Sequence, residues 1–336
     1  MMHILDYCFH QPFTNLKHLF NKASEILKRN FNGKIFFYIP SMVRYETNYY
    51  KFNKRAFPAI SVTGKKCLLN CDHCGGKLLE SMIPAEKPEE VYDILRKIYE
   101  NGGKGCLISG GCNLEGYVPL EPFLPIIARA KREMDLEIVM HTGLIPLEMI
   151  NVLIDTNVDA ILLDIIGSEL TLKKVCHLEK KIEAFESLLK ALNNKRLSVV
   201  PHIVVGMHYG KMLGELIALD LISRYKPAAV VIVAFMPIES TKMANIQPPS
   251  PQDISRVMLA ARFLLPSTPI VLGCARPRGN HRITTDALAI KCGLNGIAYP
   301  TEAAFIICEN LGYNTVIFDK CCSLIWKDIT KLSHKI

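Results

Sequence analysis

The chain has 336 residues, 49% of them hydrophobic, with a formal net charge of +8 and twelve cysteines. That length and apolar content suit one large α/β domain with small additions, or two domains. Its Lys and Arg are scattered (Lys65–Lys66, Lys173–Lys174, Lys180–Lys181), so no nucleic-acid partner is expected, while a mildly positive surface suits an acidic protein. The N-terminus carries Asp6 and no apolar leader, and the longest apolar stretch, Pro227 to Ile238, is too short to span a membrane. No membrane association and a cytoplasmic location are expected. The irregularly spaced cysteines read as metal or redox residues in a reducing compartment rather than as a disulfide framework.

In chain order, Leu16–Leu27 has the pattern of an amphipathic helix. A Tyr- and Phe-rich stretch follows (Phe36, Phe37, Tyr38, Tyr45, Tyr49, Tyr50, Phe52). Residues 1–58 are expected as a helical and aromatic cap. From residue 59, β-branched runs alternate with amphipathic helices. Strands are expected at Ala59–Thr63, Gly105–Ser109, Glu137–His141, Ala160–Asp164, Ser198–Val205, Ala229–Phe235, Pro269–Gly273 and Gly296–Ala298. Pro88 opens a helix over Glu89–Tyr99 that Gly102–Gly103 closes, and Ser250–Pro251 precedes Ile254–Leu265, which Pro266 stops. Lys181–Leu192 has helical spacing. This order predicts an α/β fold, a (β/α)8 TIM-type barrel over 59–312. A doubly wound sheet competes, but the first strand-to-helix turn lacks G-x-G-x-x-G. A helix near Glu302–Leu311, a short strand at Thr315–Phe318 and a tail with Cys321–Cys322 complete the chain, the tail being 313–336.

The turn after the first strand reads Cys67-Leu-Leu-Asn-Cys71-Asp-His73-Cys74-Gly-Gly. Three thiolates on so short a loop suit three irons of a [4Fe–4S] cube, leaving the fourth iron open to another ligand. A structural zinc site is the alternative, with His73 as fourth donor, although His73 abuts Cys74 and no second ligand pair follows. Barrel enzymes carry their chemistry at the C-terminal ends of the strands. There the sequence places Ser109-Gly110-Gly111-Cys112 after the second strand, His141 after the third and Asp164 after the fourth. His202 to His208, including Gly206, lies along and beyond the fifth, and Phe235-Met236-Pro237 ends the sixth. Cys106, Cys292 and Cys308 read as core residues. Cys112 and Cys274 fall at strand ends, Cys176 in a loop at that same end, and Cys321–Cys322 on a tail able to fold over the mouth.

The triplet, with His73 before its third cysteine, resembles the radical S-adenosylmethionine (SAM) superfamily. Gly110-Gly111-Cys112 is similar to that family's Gly-Gly-Glu motif, with Cys112 in place of the acid. Asp164 resembles the polar residue near the SAM ribose. The segment around Gly206 resembles the G-x-I-x-G-x-x-E motif without its first Gly and its Glu. Gly273-Cys274-Ala275-Arg276 through Cys292-Gly293-Leu294-Asn295-Gly296-Ile297 is similar to the biotin synthase-like branch. The resemblance implies a SAM-cleaving [4Fe–4S] cluster on Cys67, Cys71 and Cys74. It implies SAM contacts from His73, Gly110, Gly111, His141, Asp164, Gly206 and Met236, and an electron donor such as ferredoxin or flavodoxin. A second, auxiliary Fe–S cluster is expected on Cys112, Cys274 and one or both of Cys321 and Cys322. The ligand positions of biotin synthase fall near Val139, Val200 and Leu272, which cannot bind iron. The single-chain lipoyl synthase motifs are also missing. What remains similar is a subunit of the two-protein lipoyl synthase. That implies sulfur insertion into a protein-bound octanoyl chain, with a second radical SAM subunit and an octanoylated lipoyl carrier domain as partners. A one-cluster radical SAM enzyme acting on a small molecule, biotin synthase-like sulfur insertion and a zinc-stabilised scaffold are the alternatives.

Overall fold

The computed structural model describes residues 2–53 and 56–333. Its strands are β1 (Lys34–Tyr38), β2 (Ala59–Ser61), β3 (Ile83–Pro84), β4 (Gly105–Ser109), β5 (Glu137–His141), β6 (Ala160–Asp164), β7 (Val199–Val205), β8 (Val230–Ala234), β9 (Ile270–Leu272), β10 (Gly296–Ala298) and β11 (Asn314–Phe318). They form one parallel sheet in the order β11-β1-β10-β9-β8-β7-β6-β5-β4-β2-β3. The eight strands expected from the barrel pattern are β2 and β4 to β10, each in place to within two residues. The fold is the expected α/β barrel type, built as a curled sheet whose two edge strands, β11 and β3, are not paired with each other.

Alternation along the strands sorts side chains to two faces. Ile138 and Met140 of β5, Ile161 and Leu163 of β6, and Ile232 and Ala234 of β8 pack outward in the core shared with the helices. Val139, Leu162, Val231 and Val233 point into the curl, where Phe36, Tyr38, Val271 and Ala298 join them. The short segment Cys322–Leu324 touches β6, β8 and β10 at once, which a flat sheet would not allow.

Helix boundaries follow the local chemistry. Pro88 starts the helix Pro88–Glu100, where Glu90 accepts a hydrogen bond from the Lys87 N–H at 3.2 Å, and Gly102 at φ 72° lets the chain turn away. Ser250 caps Pro251–Leu264 by accepting from the Asp253 N–H at 3.1 Å. Among the described residues no helix is long and apolar enough to cross a membrane.

Two terminal segments depart from expectation. The aromatic stretch read as a cap supplies β1, which pairs with β10 on one side and β11 on the other. Its run Ile35-Phe-Phe-Tyr38 is buried on both faces, as an interior parallel strand requires. The tail does not close over the mouth. Cys321, Cys322, Leu324 and Ile325 are buried inside the curl against the Val and Ala side chains of the inner face. Those small residues leave the space that the tail fills.

Polar contacts anchor the tail near the strand starts. Lys320 reaches Glu137 at 2.9 Å and Asp328 at 2.6 Å, and Lys327 reaches Asp159 at 2.5 Å. Burial works to raise the carboxyls of Glu137 and Asp159. Lysines outweigh it and hold both below their usual range, Lys320, Lys327 and Lys331 acting on Glu137 and Lys131 and Lys327 on Asp159. The stability these two contribute is therefore complete above the ordinary carboxylate value of about 4 and lost as the pH falls through their folded values. Asp328, raised mainly by burial, acts in the opposite sense. Glu137→Gln is expected to lower the melting temperature at pH 7 and to flatten its decline between pH 6 and pH 3. A decline as steep as that of the parent would mean that Glu137 does not carry the acid sensitivity.

Candidate active site

The cysteine loop leaves β2 and is braced on the turn that follows β4. The Leu68 N–H donates to the Cys112 carbonyl at 2.8 Å, and the Gly111 N–H to Thr63 Oγ1 at 2.7 Å. A Cβ on Gly111 would stand 2.0 Å from the Lys66 carbonyl oxygen and 2.5 Å from Cys67 Cα. Only glycine permits this approach. The Gly110–Gly111 pair thus shapes the cysteine loop, and the Gly111 N–H is already engaged within the protein. Asn70, Gly75 and Gly76 take positive φ values of 44°, 52° and 75°, so the loop doubles back and brings Cys71 and Cys74 together.

Asp72, which sequence reasoning passed over, ties this loop to three others. Its side chain is nearly buried and meets His177 Nε2 at 2.8 Å, Lys242 Nζ at 2.9 Å and the Tyr209 hydroxyl at 2.9 Å. Its N–H donates to the Val175 carbonyl at 2.8 Å, and its carbonyl accepts from the Met243 N–H at 3.3 Å. The partners lie in the loops after β6, β7 and β8. Burial pushes the Asp72 carboxyl up, but the hydrogen bonds from Lys242, Tyr209 and His177 keep it below the usual range. A carboxylate between two cysteines of a triplet was the available signal in the sequence.

Beside the loop, at the ends of β5 and β6, His141 Nε2 stands 3.6 Å from Asp164 Oδ1, and His202 on β7 meets the His141 ring edge-on at 5.5 Å. Both side chains are only partly covered, 27% and 43% accessible. Burial opposes the charge on Asp164, but His141 foremost, then His202 and His73, pull its carboxyl down to about 2. Burial likewise disfavours a charged His141, and Asp164 overcomes it, raising that imidazole. His202 is driven down to about 4 by burial and by His141, so it is neutral at pH 7 and donates from Nδ1 to the Val200 carbonyl at 3.0 Å.

Gly206, at φ 77°, donates its N–H to Glu215 Oε1 at 2.8 Å. Glu215, nine residues on, is buried, and its Oε2 has no partner among the described residues. The carboxylate that meets Gly206 comes from the start of the helix Glu215–Ser223, too far along the chain for the motif spacing to show it. Met236 is half-buried just after β8, at the same end of the sheet.

The remaining thiols do not gather as one set. Cys112 faces Cys67, Cys74 and Asp164, and burial pushes its thiol up to about 12. Cys274 instead neighbours Cys321 and Cys322, with Tyr299 alongside. Cys322 donates to Cys321, which lowers the Cys321 thiol and raises that of Cys322. Cys176, placed by the sequence only in a loop, is buried against the triplet, where Cys71 Sγ approaches its carbonyl at 3.6 Å. Cys106, Cys292 and Cys308 are fully buried in the outer core, as expected. Arg276, close to Cys274, is fully enclosed. It pairs with Asp286 at 2.8 Å and donates to the Gly273, Ala298 and Tyr299 carbonyls.

Among the described residues no three His, Cys, Asp or Glu side chains are arranged to hold a single metal ion. A cube asks for something else, since each thiolate binds a different iron. The donor set of Cys67, Cys71 and Cys74 fits that demand, and the cradle left by Gly111 lets the loop sit against the β4 turn. His73 Nδ1, buried without a partner among the described residues, is a polar atom left for a bound group. Replacing Asp72 with Ala removes the common partner of three loops. The substitution is expected to cost about 1–3 kcal/mol and to speed iron loss from anaerobically purified protein. Iron retention equal to that of the parent would show that Asp72 does not hold the loop.

Comparison with known proteins agrees with this geometry. No curated protein matches the sequence. The fold is similar to methylornithine synthase (PylB), at 13% identity over 97% of this chain and 95% of that one, with a TM-score of 0.63. It is also similar to the [FeFe]-hydrogenase maturase HydG from Carboxydothermus hydrogenoformans, at 16% identity over 98% of this chain and 74% of that one, TM-score 0.64. Another HydG structure aligns at 13% identity over 88% of this chain and 63% of its own length, TM-score 0.65. At such identities the likeness concerns the fold. The sequence model of the Radical SAM superfamily matches residues 61–212, a span that holds the cysteine triplet, the β4 turn, His141, Asp164 and Gly206. Residues 61–212 are therefore a domain of the radical SAM enzyme superfamily, which implies a [4Fe–4S] cluster and SAM as cofactors.

Proposed function

We propose that the protein holds a SAM-cleaving [4Fe–4S] cluster on Cys67, Cys71 and Cys74 and inserts sulfur into an unactivated C–H bond of a protein-bound octanoyl chain. The observation that carries this reading is the presence of two groups of thiols on either side of the His141–Asp164 pair. One is the triplet after β2; the other is Cys274 with Cys321 and Cys322, which the tail brings into the curl. When bound, the cluster and SAM would supply a 5′-deoxyadenosyl radical able to take hydrogen from carbon, and an auxiliary cluster on the second group would supply sulfur. The auxiliary ligands are thereby narrowed to Cys274, Cys321 and Cys322, because Cys112 lies with the triplet.

The chain's own residues orient the cofactor and exclude water. His73 offers Nδ1 to SAM, and Asp164, held ionised by His141, offers acceptor oxygens to hydroxyl groups. Gly110, Gly111, Gly206 and Met236 complete the wall. The apolar interior, filled by the tail, keeps water out of the curl beneath the site. A lipoyl-type carrier domain of acidic character suits the net charge of +8, and a second radical SAM subunit and a ferredoxin- or flavodoxin-type electron donor are the further partners proposed. The location of Cys112 beside the triplet favours a second reading, a one-cluster enzyme acting on a small molecule.

Substitution separates the two readings. Cys71→Ala is expected to abolish formation of 5′-deoxyadenosine. Cys274→Ala is expected to preserve it while thiolation of an octanoylated lipoyl-domain peptide, followed by mass spectrometry, stops. Thiolated product from Cys274→Ala would place the sulfur donor elsewhere. Failure of the parent protein, with or without added partners, to thiolate that peptide would favour the one-cluster reading.

A further inference from the structure

A cleft of about 320 Å³ opens beside Cys274, between the chain segment that leaves β1 and the helices that follow β9 and β10. Half of its lining, Tyr45, Tyr299, Ile283, Pro300 and Ala303, is apolar, and its size lies within the range of small-molecule sites. Two polar atoms there lack partners among the described residues: Nε of Arg282 and the hydroxyl of Thr301, both buried. Arg282 Nη2 makes one long contact, 3.3 Å, to the Cys274 carbonyl. A buried guanidinium N–H without an acceptor is costly, and a carboxylate is the partner whose geometry matches it. The 12-residue helix Asn280–Lys291 begins at the cleft behind Gly279, with no side chain capping its first turn. Its N–H groups add to the positive field.

The neighbouring charges limit the ligand. Arg276 is neutralised by Asp286, Arg278 is exposed, and Glu302 lines the cleft with Oε1 held by the Asn48 N–H at 2.9 Å. The cleft's own lining thus carries one guanidinium, Arg282, and one carboxylate, Glu302, so it suits a ligand with a single negative charge placed at Arg282 rather than two. We propose that this cleft binds the carboxylate of an aliphatic or aromatic acid through Arg282 and Thr301, with the apolar part of the acid against Tyr45, Tyr299 and Ile283. It is a site apart from the SAM-binding residues, one contact away from Cys274. Burial and the nearby Arg276 lower the Arg282 guanidinium to about 10, and an anion would relieve that.

Octanoate, with octanol, octylamine and octyl phosphate as comparators, tests the proposal by equilibrium dialysis against the full-length protein purified anaerobically. Octanoate is expected to bind at least about tenfold more tightly than each comparator, and Arg282→Gln and Thr301→Val each to weaken it by about tenfold, with unchanged iron content. Thr301→Val keeps the test available should the arginine variant not fold. Binding of octanol equal to that of octanoate, tighter binding of octyl phosphate, or a parent-like affinity in both variants would overturn the proposal. Formation of 5′-deoxyadenosine by the same preparation reports on the cluster assignment independently, so loss of one does not imply loss of the other.

Discussion

The site depends first on how closely two turns approach. Gly111 lies against the backbone of Lys66 and Cys67 with no room for a Cβ, so the β4 turn and the cysteine loop behave as one unit. From that contact the loop extends to Asp72, whose carboxylate gathers Lys242, His177 and Tyr209 from three other strand ends. A glycine contact and a buried carboxylate thus position three thiols that have few direct supports of their own. The arrangement is enthalpically demanding, because the carboxylate must keep its hydrogen bonds to remain charged where it is buried.

The second constraint is volume. The inner face of the sheet carries Val139, Val200, Val231, Val233, Val271, Ala160 and Ala298, side chains too small to meet across the curl. The tail residues Cys321 to Ile325 fill that space, and ion pairs at the strand starts fix their depth. Filling the interior from the C-terminus brings a vicinal cysteine pair beside Cys274 and within the field of His141. Packing and chemistry are coupled here, since the segment that completes the core also supplies the second group of thiols.

The polar residues around the cavity divide their roles by charge. Asp164 and His141 favour each other's ionised forms, and His202 next to them is driven down by burial first and by His141 second. Asp164 is thus an anion near the cysteine loop, with the His141 imidazole 3.6 Å from it. In the separate cleft beside Cys274, Arg282 keeps a buried Nε without a partner among the described residues.

Much of this was legible locally. The β-branched runs, proline starts and glycine stops placed β2 and β4 to β10 to within two residues, because strand alternation and helix capping act over a few neighbouring residues. The spacing of Cys67, Cys71 and Cys74 identified the chemistry for the same reason, since one short loop contains it. Pairing in space was not legible. Strand β1 enters the sheet through partners some 260–280 residues away, the tail goes inside the curl rather than over it, and Cys112 parts from Cys274. Asp72 and Glu215 gain their roles only from loops that meet after folding. The sequence by itself determined the strand–helix order and the cysteine triplet, which local propensity and covalent spacing dictate. The tertiary structure alone decided which thiols share a site, how the interior is filled and where a cation is left unpaired, because long-range packing sets those distances.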